Sequence, residues 1–318
     1  MFVSRCLPDL SRSQVQRSIR LSLVTVDGVT AWKTGIELKA GQEVVFVEAP
    51  REPVLATPEP IPLDVLYEDE HMLAVNKPHG MVVHPAAGHP SGTLVNALLG
   101  RCPELAGMGP LRPGIVHRLD RGTSGVMVVA RSEKGREGLA VQFLERSLFK
   151  GYVALVLGSL PGESGCVDRP IGRHPRDRKR FSSRVTEGRS AVTEWRGVAA
   201  SGPYCVAALR IRTGRTHQIR VHLSDSGCPV AGDDLYDPGW AGRVGPASAA
   251  LLSQGPMLHS ALLCLRHPVT RKPMALSAPI PDRMRGALEA LLPGAVDLVP
   301  RLPDVHFFPG GSQWATNG

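Results

Sequence analysis

Apolar residues recur along the chain with two different periods, and the change from one to the other marks where helices give way to strands. Val15 and Ile19 stand four apart, and Arg12, Gln16 and Arg20 repeat at the same spacing on another face. That spacing predicts a short amphipathic helix with a basic side. Ser11, followed three residues later by Gln14, fits a capping box that opens it. Val24-Thr25-Val26 then runs into Asp27-Gly28, a favoured turn between strands. Lys39-Ala40-Gly41 predicts a further turn, and Glu43 to Val47 a closing strand. Residues 1–50 therefore read as a small α/β module, a basic helix against a small sheet.

Pro50, Pro53, Pro58, Pro60 and Pro62 interrupt the pattern. Proline lacks an amide donor and fixes φ, so residues 51–62 predict an extended linker. From Leu63 the apolar runs resume. Met72 to Val75, Val126 to Ala130, Tyr152 to Leu157 and residues 204–212 predict strands. Tyr152 to Leu157 is apolar on both faces, which suits a central position. Ser132 predicts the cap of a helix whose apolar side is Leu139, Ala140, Phe143 and Leu144. Thr216 predicts the opening of another. Strands and helices do not alternate strictly, so the expected class is α+β with a mixed sheet. No internal repeat is visible. Residues 296–318, with scattered proline and a Gly310-Gly311 pair, read as a loosely held tail.

Composition narrows the class. Hydrophobic residues make up 42% of the 318, enough for a packed core. No uninterrupted apolar stretch reaches the roughly 18 residues of a membrane span. The first residues lack the layout of a secretory signal, so a soluble, cytoplasmic protein is expected. The formal net charge of +8 favours polyanionic partners, because each neutralised phosphate releases a condensed counterion. A generally basic protein fits that charge equally well. The six cysteines form no C-x-x-C pair, and free thiols are the simpler account.

Three segments offer chemistry. Gly114 to Gly125 places Asp120 between Arg118 and Arg121 on a glycine-flanked turn, directly before a buried strand. Flanking guanidinium groups would hold such a carboxylate ionised. A surface turn with local ion pairs worth about 0–1 kcal/mol is the alternative. Thr213 to His222 carries Arg215, His217 and Arg220, with His217 and Arg220 three apart on one side of a helix opened by Thr216. That is a candidate carboxylate or phosphate clamp. His217 and His222, five apart, do not stack as a metal pair, so no metal is expected. Arg173 to Arg180, with Arg184 and Arg189 behind, is dense enough in cations to track an RNA backbone or to be a solvated loop. Phosphate-loop, dinucleotide, zinc-protease and serine-elbow motifs are all missing.

His117-Arg118-Leu119-Asp120 with Thr123-Ser124-Gly125 resembles the signature of group A of the large-subunit ribosomal pseudouridine synthase family. Asn76-Lys77-Pro78, Val82-Val83-His84-Pro85, Gly92 to Asn96, the segment from Lys150 to Gly158, Thr213 to His222, Gly232-Asp233 with Tyr236, and Leu258-His259 with His267-Pro268 extend the resemblance over residues 63–282. Residues 1–50 resemble an alpha-L RNA-binding motif with a shortened first helix. The resemblance implies a mostly antiparallel central sheet in a catalytic domain at 63–295. It implies that Asp120 is the essential aspartate, that Tyr152 stacks on the target base and acts as a general acid or base, and that Arg220 pairs with Asp120 in the catalytic set. Arg118 would fill the space left by the displaced base. His117, Thr123, Arg215 and His217, in the same motifs, are further candidate substrate contacts. Isomerising uridine needs no redox partner and no energy input, so no cofactor is expected. The implied partner is RNA, large-subunit ribosomal RNA first and transfer RNA second, with no membrane and no nucleotide cofactor. A monomer is expected. An RNA-binding assembly protein without catalysis is the competing reading.

Overall fold

The computed structural model describes residues 2–7, 10, 12–49, 55–86, 88–109, 113–177, 179–302 and 304–311. The chain divides into two compact units, residues 1–53 and 54–318.

The first unit carries two helices, α1 (Phe2–Cys6) and α2 (Arg12–Arg20), and a three-stranded antiparallel sheet, β1 (Val24–Val26), β2 (Val29–Thr30) and β3 (Val44–Phe46), in the order β2-β1-β3. The predicted helix and strands are present. Val15 and Val24 are buried, and the buried Ser18 Oγ accepts from the Ala49 amide at 2.9 Å. Asp27 and Gly28 both take positive φ (49° and 77°), the paired left-handed geometry that a tight hairpin demands. The capping box predicted at Ser11 lies outside the described residues.

The second unit is built on a nine-stranded sheet. Its strands are β4 (Asp64–Glu68), β5 (Met72–Lys77), β6 (Thr123–Ala130), β7 (Phe149–Leu157), β8 (Ser164–Asp168), β11 (Val192–Ser201), β12 (Tyr204–Ile211), β13 (Leu258–Arg266) and β14 (Pro273–Ser277). The order is β4-β5-β6-β13-β7-β12-β11-β8, with β14 on β13. Every pairing in it is antiparallel except β13 with β6. The expected mixed, mostly antiparallel sheet is thus present. A separate two-stranded hairpin pairs β9 (Gly172–Arg173) with β10 (Phe181–Ser182) and carries the basic run between its strands.

Strands β6 and β7 are buried along nearly their full length, because helices cover both faces of the sheet. On one face Leu73, Val75, Met127, Val129, Tyr152 and Leu209 pack under α3 (Leu94–Arg101) and α5 (Gln218–Asp225). On the other, Met72, Ala74, Val126 and Val128 meet Leu139 of α4 (Glu133–Glu145), while Val153 and Leu155 meet Met284 and Leu288 of α7 (Asp282–Leu291). A further short helix, α6 (Pro246–Leu252), precedes β13. Gly125 shows why the parallel pairing needs a glycine. Its φ is +112°, and a Cβ there would stand 2.1 Å from the Ser260 carbonyl oxygen.

Several sequence expectations are corrected. The second half of the proline-rich stretch belongs to the second unit. Asn96 donates to Thr57 O at 2.7 Å, and the Glu59 amide donates to Asn96 O at 3.0 Å. The tail is not loose as far as residue 311, because Val299, Leu302 and Phe308 are buried. The Phe308 ring sits edge-on to Phe149, 6.0 Å away, so apolar anchors outweigh the glycine–proline composition there. Ser132 caps α4 as predicted, accepting from the Gly135 amide at 3.1 Å. Of its supposed apolar side, however, Ala140 is exposed and Leu144 is 82% exposed.

Candidate active site

Two loops meet across the middle of the sheet, the one leading into β6 and the one joining β12 to α5. Between them lies a cleft of about 470 Å³. Arg118, Asp120, Thr123, Tyr152, Arg215, His217 and Arg220 line it, together with His117, so the sequence candidates converge on one place. The six cations on its wall are Arg118, Arg146, Lys150, Arg189, Arg215 and Arg220, and Asp120 is its single carboxylate among the described residues. A cleft with that balance attracts phosphate while keeping one negative oxygen group in reach.

Asp120 is partly buried, and its nearest basic side chains stand at the start of α5. Arg220 Nη1 stands 3.8 Å and His217 Nε2 3.9 Å from its Oδ2. The flanking arginines were expected to supply that charge. Arg121 instead turns back, and its Nε donates to Gly80 O at 3.2 Å. Arg220 was expected to pair with Asp120, but its tight partner is Asp233. Nε and Nη2 of Arg220 donate to the two Asp233 oxygens at 2.6 and 2.8 Å. The Leu235 and Tyr236 amides each donate to Asp233 at 3.1 Å. Arg220 therefore arrives at Asp120 with its plane already fixed.

The loop that holds Asp120 is pinned from below by a fully buried lysine. Lys77 Nζ donates to Pro78 O and Met81 O at 2.9 Å and to Arg121 O at 3.5 Å. Burial pushes its pKa down to about 8, against the pull of Asp120. No periodicity reveals such a residue, because a lysine in an apolar strand end reads as an exit from the core.

Tyr152, on the central strand β7, is 8% exposed and forms part of the cleft wall. Burial and the charge of Asp120 push its phenol up to about 12, against a hydrogen bond with Ser260. Lys150, two residues earlier, donates to Thr213 O at 3.2 Å. Burial, Arg146 and Arg215 push it down to about 8. His117 Nε2 accepts the Val128 amide at 3.0 Å, and its ring stacks on Phe143 at 4.5 Å. Burial and Lys150 bring its pKa down to about 3, so it offers the cleft a neutral ring with its proton on Nδ1. Arg215 Nε donates to Ser190 O at 3.0 Å. Thr123 is buried at the head of β6.

Thr216 does not cap α5. The cap position is His217, in a left-handed conformation (φ 57°, ψ 21°) with no side-chain cap bond. Gln218 ties this corner down instead, accepting from Thr213 Oγ1 at 2.7 Å and from the Arg215 amide at 3.0 Å. His222 faces away, bonded to Thr193 Oγ1 and Arg169 O. Among the described residues no cluster of His, Cys, Asp and Glu could hold a metal. The six cysteines are unpaired. No described helix is long and apolar enough to cross a membrane. Asp233, Tyr236, Arg146 and Lys77 are the residues whose part in the site sequence reasoning did not assign.

The chain is similar to known proteins over most of its length. A family model described as RNA pseudouridylate synthase matches residues 71–225, which include Asp120, Tyr152 and Arg220. An uncharacterized RNA pseudouridine synthase of Synechocystis is 43% identical over 86% of this chain and 83% of its own length. Ribosomal large subunit pseudouridine synthase D of Xanthomonas campestris is 40% identical over 91% of this chain and 87% of its own. Among solved structures, human RNA pseudouridylate synthase domain containing 1 superposes with a TM-score of 0.54 at 25% identity, over 80% of this chain and 98% of that one. Identity of this order over nearly the whole length, with the carboxylate cleft inside the matched region, means that the chain belongs to the RNA pseudouridylate synthase family.

Proposed function

We propose that the chain isomerises uridine to pseudouridine in large-subunit ribosomal RNA, with Asp120 as its catalytic residue. The observation that carries this reading is the isolation of Asp120, the one carboxylate among six cations on the cleft wall. Relatives named ribosomal large subunit pseudouridine synthase D, in Xanthomonas, Xylella and Pseudomonas, supply the substrate class.

The reaction breaks the bond from the ribose anomeric carbon to uracil N1 and joins that carbon to C5. The C5 proton leaves and N1 gains one, so electrons balance without a cofactor. The target base must first leave its stack, at a cost of a few kcal/mol. Arg118 occupies the gap it leaves, while Arg146, Lys150, Arg189 and Arg215 hold phosphates. Tyr152 stacks on the extruded uracil and, with its high pKa, stays protonated. His117 and Thr123 flank the base from the β6 side, and His217 from the α5 side. Asp120 then attacks the anomeric carbon or removes a sugar proton. Arg220, held by Asp233, faces the carboxylate in either case.

Tritium release from RNA labelled at uridine C5 tests the chemistry. The wild type is expected to release label and Asp120→Asn to release none, with equal release by both rejecting the assignment. Mapping pseudouridines in total RNA with and without the gene tests the address. Sites lost only from transfer RNA would reject the ribosomal substrate. Full biological activity of Asp120→Asn would favour an assembly role without catalysis.

A further inference from the structure

His217 is placed between two groups that together determine which of its nitrogens carries the proton. Its Nε2 faces the Asp120 carboxylate at 3.9 Å, and its Nδ1 lies 2.8 Å from the hydroxyl of Tyr236. That hydroxyl already accepts the Phe181 amide at 3.1 Å. A phenol has one proton to give, and among its hydrogen bonds the acceptor for it is His217 Nδ1. An imidazole that accepts at Nδ1 carries its own proton on Nε2.

We infer that Tyr236 is a positioning residue that fixes His217 in the Nε2–H tautomer, so that Asp120 meets a donor and not a lone pair on that side. The inference rests on Asp120 as the catalytic group.

The surroundings reinforce it. The Tyr236 phenol is pushed up to about 12, by burial first, so it keeps its proton. His217 is lowered by burial, with Arg220 and Arg118 adding to that and Asp120 and Asp233 opposing it, which favours a neutral ring. The ring is oriented by its backbone. A left-handed φ at a residue other than glycine is uncommon, and strain of this kind persists where the surroundings over-determine it. The Phe181 and Tyr236 rings both stand edge-on to His217, at 6.0 and 5.5 Å. Arg220 lies over Tyr236 at 4.9 Å, and Arg180 at 5.5 Å. Phe181 opens β10 of the basic hairpin, and Arg173 across the hairpin covers its ring at 4.7 Å. The hairpin therefore fixes the phenol, the phenol fixes the imidazole, and the imidazole faces the carboxylate. Tyr236 and Asp233 both lie beyond the segment matched by the family model.

Substituting Tyr236→Phe keeps the ring and removes only the proton donor. Expected is a fall in kcat of about ten- to hundredfold with KM nearly unchanged, in line with losing a partner that orients a reactive group. Nitrogen-15 shifts of the imidazole, assigned by loss of the signal in His217→Gln, are read in the intact protein. The wild type should show Nε2–H, and Tyr236→Phe a mixture of tautomers. An Nδ1–H signal in the wild type, or wild-type kcat in Tyr236→Phe, overturns the inference. Asp120→Asn serves as the control. If it retains activity, the catalytic reading itself has failed, whereas an inactive Asp120→Asn beside a fully active Tyr236→Phe sinks the tautomer role alone.

Discussion

Asp233 holds Arg220 by two parallel hydrogen bonds, of 2.6 and 2.8 Å, and leaves the third nitrogen, Nη1, directed at Asp120 from 3.8 Å. One carboxylate is thus spent on orienting the cation that serves another. Asp233 is 1% exposed and Arg220 is 8% exposed, so neither can be rehydrated cheaply if its partner goes.

Removing Asp233 should therefore do two things. Asp233→Ala removes both hydrogen-bonded acceptors of a buried guanidinium and should destabilise the protein by about 3 kcal/mol, read by urea unfolding. Asp233→Asn keeps the shape but loses one charge-assisted acceptor. It should lower tritium release at least tenfold, a barrier raised by about 1.4 kcal/mol, with unfolding less affected than in the alanine variant.

Tyr152 should contribute no alkaline limb to the pH–rate profile below about pH 10, since burial pushes its phenol up to about 12. Tyr152→Phe should retain base stacking and lose the hydroxyl alone. Profiles of kcat for the two proteins should run parallel on the alkaline side. A limb present in wild type and missing in Tyr152→Phe would contradict this.

The turn between β4 and β5 depends on Asp69. Burial raises its pKa, yet bonds from the His71 and Met72 amides, the Tyr67 hydroxyl and His267 outweigh that and bring it down to about 2. A depressed carboxylate contributes stability that is present above its unfolded pKa, near 3.8, and lost as pH falls through about 2. Asp69→Asn should cost about 2 kcal/mol at pH 7. In urea unfolding, the gap between the two proteins should narrow between pH 4 and pH 2.

Arg146 lines the cleft beside Lys150 and makes no ion pair with an acidic side chain among the described residues, which suits a phosphate contact. Arg146→Ala should weaken RNA binding and reduce the slope of log K against log salt by about one. The slope is measured by filter binding across a salt series, and an unchanged slope would remove Arg146 from the interface.

Much of the fold was legible in the order of apolar residues. β5, β6, β7 and β12 were predicted within a few residues, because strands buried on both faces are written as unbroken apolar runs. β11 was not found. It mixes Thr193, Glu194 and Arg196 with apolar residues and carries a bulge between Gly197 and Ala199, so its period of two breaks. The packing of the chain's end is hidden from the sequence for a related reason. Phe308 is one of two adjacent aromatics in a proline- and glycine-rich context, and the hollow beside Phe149 and Gly151 gives it a place.

The sequence alone brings Asp120, Tyr152 and Arg220 forward as candidates, because each sits in a short segment that carries the family resemblance. Tertiary structure alone decided what each of them is bonded to. Asp233 and Tyr236 stand 13 and 19 residues from the partners they orient, and the Lys77 ammonium reaches the Arg121 carbonyl across 44. Hydrogen bonds act over about 3 Å, so they depend on how strands and loops are packed, and no separation along the chain encodes that distance.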